Sequence, residues 1–129
     1  MTAPTLRILL VEDDGVSSET LAVLLRLNGH EVEVAADGPT ALRVAADEPP
    51  DVALLDLGLP GGMDGYEVAR RLREQKTDRL LFLIAVTGYG RDEDRRRSTE
   101  AGIHLHWLKP IDGEALDRLL HRFQALIQR

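Results

Sequence analysis

The chain has 129 residues, 43% of them apolar and 29% charged, enough to bury one core and ordinary for a globular domain. It contains no cysteine, which excludes disulfides, thiol catalysis and cysteine-bound metal. Its net charge of −6 argues against nucleic acid as a direct partner, because a phosphate backbone is met by basic surfaces.

The first apolar run, residues 6–11, is too short for a helix and reads as a strand ending in acids. Residues 15–27 follow with helical period, Val16, Leu21, Leu24 and Leu25 forming the inward stripe and Asn28-Gly29 the stop. Residues 31–36 alternate polar and apolar, as an edge strand does. Pro39 suits the first turn of a helix reaching Asp47. Residues 51–56 give a buried strand ending in Asp56, and 65–75 a helix with Val68, Ala69 and Leu72 inward. Residues 80–86 are apolar throughout, which a strand covered on both faces requires. A charged helix is expected over 91–101, closed by Gly102, then a strand over 104–108 and an amphipathic helix over 112–128. Its run Arg95-Arg96-Arg97 lies among Asp92, Glu93, Asp94 and Glu100, and so reads as a solvated face of mixed charge.

The order is (βα)₅, which predicts an α/β fold: a doubly wound parallel five-stranded sheet with helices on both faces. No linker or repeat divides residues 1–129, so a single domain without an attached effector is expected. No stretch approaches the roughly 18 to 20 apolar residues that span a bilayer, and the N-terminus lacks a signal pattern. A cytoplasmic protein without membrane contact is expected.

Ligands of such sheets gather at the carboxyl ends of the strands. There the sequence places Glu12, Asp13 and Asp14, then Asp56, then Thr87-Gly88, then Lys109-Pro110. Crowded carboxylates repel unless a cation offsets them, and an all-oxygen donor set suits Mg²⁺ rather than zinc. A cation, an ammonium and a hydroxyl are what a phosphoryl group in transfer needs. Asp56, centrally placed, is the candidate nucleophile. Taken singly, each acid could be a helix cap and Lys109 a surface charge; it is their convergence that points to a site.

From ILLVEDD through DLGLPGGMDGYEVARRLR and AVTGYG to HWLKP, the chain resembles the receiver domains of two-component response regulators, with the CheY-like strand order 2-1-3-4-5. The resemblance implies Asp56 as phosphoacceptor, Thr87 as switch hydroxyl and Lys109 as the phosphate-binding lysine. It implies Mg²⁺ held by Asp13, Asp56 and the Gly58 carbonyl, with Glu12 acting through water and Asp14 left as a cap. It also implies a cis Lys109–Pro110 bond, and His106 at the switch position where Tyr or Phe is usual. Phosphoryl would come from a histidine kinase or phosphotransfer protein. A downstream protein would read the face of the fourth helix, fifth strand and fifth helix, in a monomer or a weak phosphorylation-dependent dimer.

Two features depart from the family pattern. The loop after Asp56 holds one extra residue among Pro60-Gly61-Gly62-Met63, an insertion that glycine tolerates by adopting positive φ. The turn Thr87-Gly88-Tyr89-Gly90 with His106 is similar to receivers carried by hybrid sensor kinases. Trp107 should point away from His106, toward the last helix, and His104 and His121 should lie at the surface. An alternative is an aspartate-nucleophile phosphohydrolase on a similar sheet, although no general base or cap is visible. A flavodoxin-like cofactor module is opposed by Glu-Asp-Asp, which would repel phosphate.

Overall fold

The continuous Val, Ile and Leu runs become the middle of the sheet. In the computed structural model, which describes residues 5–75, 80–88, 96–97 and 99–127, β1 (Arg7–Val11), β3 (Val52–Asp56) and β4 (Phe82–Thr87) are buried along most of their length. The alternating segment β2 (Glu31–Ala35) and the short β5 (Leu105–Leu108) form the edges. All neighbours pair in parallel, in the order β2-β1-β3-β4-β5. Boundaries match the sequence reading within one or two residues.

Side chains alternate across a strand, so each central strand feeds two cores. Leu9, Val11, Leu55, Leu83 and Ala85 face one side, where α2 (Gly38–Asp47) and α3 (Gly65–Gln75) cover them through Ala41, Val68 and Leu72. Ile8, Leu10, Leu54, Ile84 and Val86 face the other, under α1 (Gly15–Leu27) and α4 (Gly113–Ile127). Burying one such Leu or Ile side chain stabilises by about 1.5 to 3 kcal/mol.

The helix ends follow local chemistry. Asp14 accepts from the Val16 and Ser17 amides and Asp37 from Thr40, as carboxylates at N-caps do. Asp112 accepts from Glu114 and Ala115. Asn28 ends α1, and Gly29 follows at φ 95°. Pro39 stands in the first turn of α2.

The stripe expected on α1 holds at Leu21 and Leu25 and fails at Val16 and Leu24. Val16 is 78% exposed and Leu24 also faces outward, while Ser18, Ala22 and Leu25 are buried. The stripe that packs is therefore rotated from the one the largest side chains suggest. Ser18 can be buried because its hydroxyl donates to the Gly15 carbonyl at 3.2 Å.

Of the helix expected over 91–101, residues 96–97 and 99–100 are helical, and the Ala101 amide donates to the Arg97 carbonyl at 2.9 Å. Residues 91–95 and 98, with Tyr89 and Gly90 of the preceding turn, lie outside the described residues. Among the described residues, no helix is long and apolar enough to cross a membrane.

Candidate functional site

Parallel pairing brings four strand ends to one edge of the sheet. Val11 pairs with Leu55, Asp56 with Val86, and Thr87 with Leu108. Glu12, Asp56, Thr87 and Lys109 thus leave neighbouring strands within one residue of the same level. Backbone bonds fix two of these exits: Glu12 N–H donates to Ala35 O at 3.0 Å, and Lys109 N–H to Thr87 O at 2.8 Å.

The side chains converge as the sequence suggested. Carboxylate oxygens of Glu12, Asp13 and Asp56 all lie within 4.8 Å of one another. The Lys109 ammonium is 3.4 Å from Glu12 Oε2 and 3.7 Å from Asp56 Oδ2, so it balances part of their charge. Asp56 Oδ1 accepts the Gly58 amide at 3.0 Å. One oxygen of Asp56 is thereby anchored to the following loop and the other turned toward the lysine. Glu12 is buried and Asp13 exposed. Burial first, and Asp56 beside it second, push the Glu12 carboxyl up to about 7 against the pull of Lys109.

This donor set is all oxygen and densely anionic, with neither His nor Cys in the cluster. It suits a hard divalent cation, whose charge would offset both the burial and the neighbouring Asp56 that raise Glu12. Asp14, by contrast, spends its carboxylate on capping α1, and its bonds to Ser17 and Val16 hold it below the usual range.

Thr87 is buried at the end of β4. His106 pairs in register with Ala85 and so lies on the α3 side of the sheet, half-buried. Trp107 packs on the opposite side, against the α1–α4 core. His121 is exposed. His104 is also exposed, yet its ring bonds to the Leu83 amide at 3.0 Å and meets Arg73 at 2.9 Å. The Lys109–Pro110 bond is cis.

The longer loop after Asp56 is absorbed at Gly61, with φ 84°, where a side chain would be strained. The loop closes at Gly65, whose amide donates to Leu57 O at 3.2 Å. A Cβ on Gly65 would stand 2.5 Å from the Asp56 carbonyl oxygen, so glycine alone permits this approach. Gly65 lies within the motif DLGLPGGMDGYEVARRLR, where the sequence alone assigns it no role. The sequence also missed a groove of about 710 Å³ that runs from Asp56 and Lys109 between α1 and the start of α4, walled by Val16, Leu24, Pro110 and Ile111. The signal for it was the outward placement of Val16, which periodicity turned the wrong way.

Comparison with known proteins identifies the family. Residues 8–121 match the response regulator receiver domain family. Response regulator PleD of Caulobacter vibrioides is 39% identical over 124 residues, covering 94% of this chain and 27% of PleD. The transcriptional regulatory protein AfsQ1 of Streptomyces coelicolor is 37% identical over 122 residues, covering 95% of this chain and 51% of AfsQ1. The chain thus spans between about a quarter and a half of the length of these relatives. Among solved structures, the receiver domain of sensor histidine kinase PA1611 from Pseudomonas aeruginosa PAO1, with a magnesium ion in its active-site cleft, superposes with a TM-score of 0.83. It is 34% identical, with 95% of this chain and 99% of that one covered. The chain belongs to the receiver-domain family of two-component response regulators. Its fold is the CheY-like doubly wound sheet of order 2-1-3-4-5, and its role that of a phosphoryl-accepting signalling domain.

Proposed function

We propose that Asp56 is the phosphoacceptor of this chain, and that residues 1–129 make up one receiver domain. The observation that carries the reading is the Lys109 ammonium standing 3.4 Å from Glu12 and 3.7 Å from Asp56, beside three clustered carboxylates. A phosphoryl group entering there meets a nucleophilic oxygen and a fixed positive charge together.

The donor is a phosphohistidine on a histidine kinase or phosphotransfer protein. An Asp56 carboxylate oxygen attacks phosphorus, the O–P bond forms as the N–P bond breaks, and the leaving imidazole keeps the bond pair and takes up a proton. The Gly58 amide, 3.0 Å from Asp56 Oδ1, holds the carboxylate in one orientation for in-line attack. Lys109 follows the charge onto the phosphoryl oxygens. Asp13, Asp56 and the Gly58 carbonyl, with Glu12 acting through water, would hold Mg²⁺, which supplies neutralisation of the phosphoryl oxygens when bound. The groove beside α1 opens onto Asp56 and leaves room for the donor to approach.

After transfer, Thr87 swings its hydroxyl toward a phosphoryl oxygen and His106 follows into the space vacated on the α3 side. The face formed by the helical residues around Arg97, β5 and α4 then changes for a partner protein. The domain assists its own phosphorylation and dephosphorylation but is a signal carrier in the cytoplasm, not an enzyme acting on a separate substrate. Incubation with acetyl phosphate and Mg²⁺ should add one acid-labile phosphoryl group per chain, lost with EDTA and in Asp56→Asn. Undiminished labelling of Asp56→Asn would overturn the assignment.

A further inference from the structure

Beyond the site, α3 and its cap grip the described residues among 96–102 at two points. At one end Arg73 Nη2 donates to the carbonyl of Gly102 at 2.8 Å. Gly102 stands at φ 86°, and a Cβ there would come within 2.6 Å of Arg73 Nε. At the end nearer the site, the Arg97 guanidinium lies 3.4 Å from Asp64 Oδ2 and 4.0 Å from the centre of the Tyr66 ring. Tyr66 is buried, so the ring is a fixed platform for the cation.

Asp64 is tied to Asp56 through very little chain. Its other oxygen, Oδ1, accepts the Glu67 amide at 3.0 Å and caps α3. The next residue, Gly65, is pressed against the Asp56 carbonyl and bonded to Leu57 O at 3.2 Å. A shift of the loop that follows Asp56 therefore reaches Asp64 with little slack. The Arg97 contact is sensitive to such a shift, since both partners are about half exposed and a displacement on the order of 1 Å takes the pair beyond hydrogen-bond range.

We propose that Arg97 is a positioning residue that couples the helix carrying it to the loop behind the phosphoacceptor, a route separate from the one through Thr87 and His106. This role rests on Asp56 being the switch site. The Arg73–Gly102 contact, partly buried and made to a backbone carbonyl, is the fixed end of the helix; the Arg97 contact is the end that responds.

The test uses the whole chain with Mg²⁺ and beryllofluoride, read by amide NMR. In the wild type, the Gly58 amide and those of residues 96–101 should all move. In Arg97→Ala, Gly58 should still move while the changes at 96–101 fall to less than half. Arg97→Lys should restore most of them. Asp64→Asn, which keeps a capping side chain but removes the charge, should reproduce the loss. Half-saturation with beryllofluoride should shift about two- to fivefold in Arg97→Ala, the range that a surface ion pair with a cation–π contact supplies. Unfolding midpoints of Arg97→Ala, Asp64→Asn and the double variant should be non-additive. Changes of wild-type size at 96–101 in both single variants would overturn the coupling, and additive midpoints would overturn the contact itself. A wild type whose Gly58 amide stays still would overturn the site reading and this role with it, whereas the midpoints would still judge the contact.

Discussion

Glu12 shows how one residue reports on the whole site. Its carboxyl is buried beside Asp56 and titrates at about 7, above its ordinary value in an unfolded chain. A folded-state value that is raised means that the native protein holds this proton more tightly than the unfolded one. Stability from that source is complete below about pH 4.5 and is lost as pH rises toward 7. Metal-free protein should therefore lose stability across that window in urea titrations, and Glu12→Gln should flatten the slope. A metal-free wild type with the same stability at both ends would contradict the buried-pair account. Gly65 carries the site differently, through close approach alone. Gly65→Ala must push a methyl group into the Asp56 carbonyl, so it should cost about 1 to 3 kcal/mol in urea unfolding and slow labelling of Asp56.

Among the elements, β4 and β5 are the ones through which we propose the change travels outward. Thr87 ends β4 and His106 lies one strand away on the α3 side. Thr87→Ala and His106→Ala should still accept phosphoryl at Asp56, yet give amide shifts over Leu105–Leu108 less than half the wild-type size with beryllofluoride. Full-sized shifts in both variants would make His106 a bystander. The sequence displayed these strands well, because Val, Ile and Leu runs of strand length have few other uses between helices. It displayed the cap at Asp14 for a local reason, since that side chain bonds within three residues of itself, whereas the caps at Asp37 and Asp112 emerged only in the structure. Long-range facts were hidden. Periodicity could not show that Ser18 rather than Val16 turns inward, since the rotation of α1 is set by the sheet beneath it. Nor could it show that Arg97 meets Asp64 and Tyr66, 33 and 31 positions away in the chain. Among the site residues, Glu12, Asp13, Asp56 and Lys109 were legible because a parallel sheet places strand ends together whatever the intervening helices do.

At the scale of the whole molecule, topology does most of the chemistry. One edge of the sheet collects the acids, the lysine and the buried hydroxyl, and two cores hold the strands that position them. The chain covers 27% of PleD and 51% of AfsQ1, so it matches only part of each. What it holds is the acceptor. The most direct test of that claim is chemical trapping of the acyl phosphate. Protein treated with acetyl phosphate and Mg²⁺, then reduced with borohydride, should yield homoserine at position 56 and nowhere else on peptide sequencing by mass spectrometry. Homoserine at position 13, or none at any position after stoichiometric labelling, would contradict the assignment of Asp56.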